Sequence, residues 1–67
     1  MNRSDKIEEI VNFVTHFPDS TASRAILRRF YLNYYKYESS DELGIALQNT
    51  LDKKESDEIE FCFYLVK

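Results

Sequence analysis

Apolar residues recur early in the chain as Ile7, Ile10, Val11, Val14 and Phe17, at spacings of three, one, three and three. On a helix these positions form one stripe, with Phe13 at its margin, so the pattern predicts a helix over residues 5–17. Ser4 is the candidate cap, and Asp5, Glu8 and Glu9 place negative charge by the positive end of the helix dipole. Pro18 disfavours helical geometry at Phe17 and ends the element. The link Pro18-Asp19-Ser20-Thr21 is short and rich in capping side chains, which makes the first two helices neighbours that pack on each other.

The next stretch, Thr21 to Tyr37, is the most distinctive of the chain. Placed on a helix, Ile26, Leu27, Phe30, Tyr31, Tyr34 and Tyr37 share one broad arc, and Arg24, Arg28, Arg29, Asn33 and Lys36 occupy the other. Read as a strand, the same residues put aromatics on both faces, where a half-buried strand should keep one face polar. A helix over 21–37 is therefore expected, with Tyr31 and Tyr34 in the core and Tyr35 lying among the arginines.

Beyond Tyr37 the chain turns polar, and Ser39 followed by Glu42 fits the reciprocal capping box of a third helix over 41–53. Its inner face is Leu43, Ala46, Leu47, Thr50 and Leu51. Gly44 weakens it by about 1 kcal/mol relative to Ala, which implies close packing against a neighbour. Lys53 and Lys54 stand at its negative end. In the last segment Ile59, Phe61, Phe63 and Leu65 alternate with Glu60, Cys62, Tyr64 and Val66, which predicts a strand over 58–66. The expected fold is thus α+β and mainly helical, a three-helix unit followed by one C-terminal strand. Such a strand needs a partner: its copy in a homodimer, a sheet of another protein, or part of 30–37 if that segment is itself extended.

Sixty-seven residues form one domain, 1–67, and a chain of this size buries only about 60% of its unfolded surface. Little core is left to hollow into a catalytic cleft. The formal net charge of −3 conceals a basic island, because Arg24, Arg28, Arg29 and Lys36 stand in a stretch without acids while the C-terminal third is strongly acidic. The island can face an acidic partner or phosphate, or pair internally with that third. A single cysteine excludes an internal disulfide framework. With no secretion signal and no long apolar run, a cytoplasmic, non-membrane protein is expected.

Catalytic and metal chemistry find little support. His16 and Cys62 are the sole conventional nucleophile and base, one at a helix end and one in the expected strand. They cannot make a structural zinc site alone, the acids from Asp52 to Glu58 lack calcium-loop spacing, and one glycine excludes a glycine-rich phosphate loop. No cofactor is expected. Two readings remain. One is a non-enzymatic protein-interaction module, a small regulator, inhibitor or adaptor, that binds another protein through Arg24, Arg28, Arg29, Leu32, Tyr35 and Lys36, since Arg and Tyr dominate binding surfaces. The other is a helix-turn-helix-like nucleic-acid binder using Arg24, Arg28 and Arg29, which requires those arginines to be free of acidic partners.

Overall fold

The computed structural model describes residues 2–67, which form four helices: α1 (Arg3–His16), α2 (Thr21–Arg29), α3 (Ser40–Asp52) and α4 (Ser56–Val66), with a 3-10 turn at Tyr34–Lys36 between α2 and α3. α1 is the hub. It packs on α3 and α4 along most of its length and touches α2, which in turn leans on α4. All four contribute to one core: Ile7, Ile10 and Val14 from α1, Ile26 and Leu27 from α2, Leu43, Leu47 and Leu51 from α3, Ile59 and Cys62 from α4. Each fully buried aliphatic side chain of this kind contributes about 1.5–3 kcal/mol. None of the helices is long and apolar enough to cross a membrane.

No strand exists among the described residues, so the α+β expectation is corrected to all-α. The segment expected as a strand over 58–66 is α4. Its near-continuous apolar run satisfies both periods, since Ile59, Cys62, Phe63 and Val66 also recur at helical spacing. Two features favour the helix: Asp57 and Glu58 fall in its first turn, where they complement the helix dipole, and α1 offers an apolar stripe to cover Ile59 and Cys62. With the strand goes the argument for a homodimer or a mixed sheet built on its edge.

Caps explain the other boundaries. α1 begins at Asn2 rather than Ser4, with Asn2 Oδ1 accepting from the Asp5 amide at 2.9 Å. It ends at His16, and Phe17, expected on the inner stripe, is 59% exposed. Ser20 caps α2; its hydroxyl accepts from the Ser23 amide at 3.1 Å and donates to Ser23 Oγ at 3.0 Å, which satisfies the one buried polar side chain among the described residues. Ser39 caps α3 by accepting from the Glu42 amide at 3.2 Å, but the return bond goes from the Glu38 amide to Glu42 Oε2 at 2.8 Å, one residue earlier than in a reciprocal box.

At the far end of α3, where Lys53 is the C-cap residue and Lys54 follows it, a further positive charge comes from α1. The Arg3 guanidinium donates to the carbonyls of Leu51, Asp52 and Lys54 at 3.1, 3.2 and 2.6 Å, and so adds a positive donor at the carbonyl end of α3. Gly44 marks a close approach of α1 and α3, for a Cβ there would stand 3.2 Å from Thr15 Cγ2 and 3.5 Å from Val11 Cγ1.

Candidate functional site

The helix expected over 21–37 stops at Arg29, and the segment from Phe30 to Tyr37 leaves the helix to form the site. Phe30 is the C-cap residue and Tyr31 adopts φ 60°. The Leu32 amide returns to the Leu27 carbonyl at 2.8 Å and the Tyr31 amide to the Arg28 carbonyl at 3.2 Å. This is the Schellman closure, in which the left-handed position normally holds glycine. A bulky L-residue there costs about 1–2 kcal/mol. Leu32 then packs back on the core, the companion apolar contact of that closure.

From Leu32 the chain arches outward and returns at Tyr37, which also packs on the core. Between them the Asn33 side chain accepts from the Tyr35 amide at 2.9 Å and sets up the 3-10 turn. Tyr34 and Tyr35 meet edge to face at 5.2 Å between ring centroids. Tyr35 is 85% exposed and Tyr31 95% exposed, so the expectation that Tyr31 and Tyr34 lie in the core is corrected: Tyr31 is in solvent and Tyr34 is on the surface.

Between this arch and α2 lies an open groove of about 590 Å³, lined by Arg24, Leu27 and Arg28 from the helix, Leu32 to Tyr35 from the arch, and Pro18 and Asp19 from the α1–α2 link. Four of the six residues singled out from the sequence, Arg24, Arg28, Leu32 and Tyr35, are gathered here. Lys36 is exposed on the arch outside the groove lining.

Arg29 belongs elsewhere. Its Nε and Nη2 donate to the two carboxylate oxygens of Glu58 at 2.6 and 3.0 Å, and its guanidinium carbon stands 4.5 Å from the centroid of the Phe61 ring. The Arg29 hydrogen bonds hold the Glu58 carboxyl below its ordinary pKa, and Glu58 in return raises that of Arg29. The basic island is thus split: Arg29 pairs internally with the acidic C-terminal third, while Arg24, Arg28 and Lys36 make no ion pair among the described residues. Of the three arginines that the nucleic-acid reading needs free of acidic partners, Arg29 has one.

Comparison with protein-family models, with curated proteins and with solved structures finds no match. The groove must be read from its own chemistry.

Two arginines one helical turn apart repel by about 0.2–0.5 kcal/mol when unpaired. Beside them, Leu27, Leu32 and the two tyrosine rings offer apolar and amphipathic surface. Reactive groups lie away from the groove. His16 Nδ1 is 2.7 Å from the Asn12 carbonyl on the surface of α1, and Cys62 is fully buried. Burial, helped by the Glu58 charge, pushes its thiol up to about 11 and keeps it protonated at neutral pH. Of the groove residues, Pro18, Asp19, Leu27, Asn33 and Tyr34 were not singled out from sequence as partner-binding; Asn33 and the Pro18-Asp19 link carried the visible turn signal.

Proposed function

We propose that the protein is a non-enzymatic interaction module that binds an acidic segment of another protein in the groove between α2 and the 30–37 arch. The observation that carries this reading is the unpaired Arg24–Arg28 couple on a groove floored by Leu27 and Leu32 and rimmed by Tyr34 and Tyr35. Arginine forks match carboxylates in bidentate fashion. Tyrosine and leucine beside them supply the desolvated contact that makes such pairs count. Asp19 at the groove edge and a chain of net charge −3 weigh against a polyanionic phosphate backbone as the occupant.

The test is selection of a random-peptide display library on the immobilised protein, counter-selected on Arg24→Ala/Arg28→Ala. Enriched peptides should carry paired Asp or Glu around an apolar residue, and the double variant should retain them at least about thirtyfold less well. Enrichment that ignores the two arginines would sink the reading. Salt-sensitive binding of labelled oligonucleotides, lost in the same variant, would replace it with a nucleic-acid one.

A further inference from the structure

We infer that Tyr31 is a partner-contacting residue, held outward by its left-handed backbone to meet an apolar or aromatic side chain flanking the acidic pair of the bound segment. The inference rests on the groove being the docking surface, and it adds a contact beyond the groove lining. Three observations on one residue carry it. Tyr31 occupies the position of the Schellman closure where glycine is favoured, at φ 60°. Its side chain is 95% exposed, so it gains almost nothing from the folded chain in return for that backbone strain. It directly precedes Leu32, which lines the groove, and succeeds the Arg28-Arg29-Phe30 turn that ends α2.

A core tyrosine would explain itself by burial, and a surface tyrosine on relaxed backbone would need no explanation. A strained, almost fully exposed tyrosine, next in the chain to a residue that lines a groove with two unpaired arginines, has neither account within the chain. Left-handed bulky residues gather where the strain serves recognition. Tyrosine suits the role, because it offers a large rigid ring with few rotatable bonds to immobilise on binding. The closure fixes the backbone from which the ring departs, since the Leu32 and Tyr31 amides are both tied to the last turn of α2.

The experiment uses the full chain and the same random-peptide display library, panned in parallel on wild type, Tyr31→Gly and Tyr31→Phe. Thermal unfolding of each protein accompanies the panning. Tyr31→Gly should raise Tm by about 4–8 °C, because it relieves the backbone. It should also retain the wild-type-enriched peptides at least about tenfold less well. Tyr31→Phe should retain them at close to the wild-type level with unchanged Tm. Retention by Tyr31→Gly equal to wild type, while Arg24→Ala/Arg28→Ala loses the peptides, overturns the role of Tyr31 and leaves the groove reading standing. A fall in Tm for Tyr31→Gly overturns the strain argument. The absence of any arginine-dependent enrichment on wild type removes both.

Discussion

Arg28 and Arg29 are adjacent in the chain and have opposite fates. Arg29 faces α4, where its guanidinium is doubly bonded to Glu58 and laid over Phe61. Arg28 faces away, into an open groove with no carboxylate bonded to it among the described residues. A helix turns 100° per residue, and that single step separates a charge spent on the fold from one left available. The lesson is that a basic stretch is not one surface. α2 is nine residues long, and one side of it holds the bundle together while the other is the candidate site.

This division can be tested from its strongest to its weakest consequence. Ile26, fully buried on the inner side of α2, should be the most sensitive position of that helix. Ile26→Ala should cost about 2–5 kcal/mol, comparable to the ~3–5 kcal/mol that a core this small supplies, so the variant should be largely unfolded by circular dichroism at room temperature. A cooperative transition with an unchanged midpoint would mean that α2 is not part of the core.

Cys62, on the face of α4 turned to the core, gives a pH signature. Its thiol is raised to about 11 in the folded chain against an ordinary value of 9, so the unfolded state releases its proton first. Stability from this group is complete below pH 9 and is lost as pH climbs from 9 to about 11. Urea midpoints should fall across that window in wild type and fall less in Cys62→Ala. Equal slopes would place the alkaline sensitivity elsewhere.

The Arg29–Glu58 pair should matter less, being at the surface. Its folded Glu58 pKa is depressed, so its contribution is present above the ordinary carboxylate pKa and is lost as pH falls through the lower, folded value. Arg29→Ala should lower Tm slightly at neutral pH, with a difference from wild type that shrinks in acid and in high salt. A difference that persists in acid would mean that the Phe61 contact, and not the ion pair, carries the effect.

The smallest change in stability is expected for Arg24→Ala/Arg28→Ala. Tm should be unchanged or should rise, with a free-energy difference within about 0.5 kcal/mol, since a like-charge pair is relieved and no bond is broken. A clear loss of stability would show that the groove arginines serve the fold as Arg29 does, and would erase the contrast.

Much of this architecture was legible in the residues. α1 and α3 were readable because Ile7, Ile10 and Val14, and Leu43, Leu47 and Leu51, recur at a spacing that only a helix brings together, and because Pro18 and Ser39 punctuate the chain. Gly44 announced the close approach of α1 and α3 that Thr15 and Val11 create. α4 was misread because Ile59 to Val66 is almost wholly apolar and fits either period; the acids of its first turn and the lack of any strand to pair with were the better evidence. The end of α2 had no local marker. Neither glycine nor proline comes after Arg29 before the chain turns, and the closure depends on Leu32 folding back on the core, a tertiary event that no spacing rule sees. For the same reason Arg24, Arg28, Leu32 and Tyr35 could be named as candidates, whereas the groove they share with Asn33 and Tyr34 could not.

The central place of α1 sets the order of synthesis against the order of burial. This helix is made first, yet the residues that cover its apolar stripe come from α3 and α4, the last two of the four to be made. Until α4 exists, Ile7, Ile10 and Val14 have no complete shelter, and Arg3 must wait for the end of α3 to find its three carbonyls. A nascent chain or fragment stopped before Ser56 can lay α1 on α3, but the side of the α1 stripe that Ile59 and Cys62 cover stays open, and exposed apolar surface of that kind is prone to aggregate.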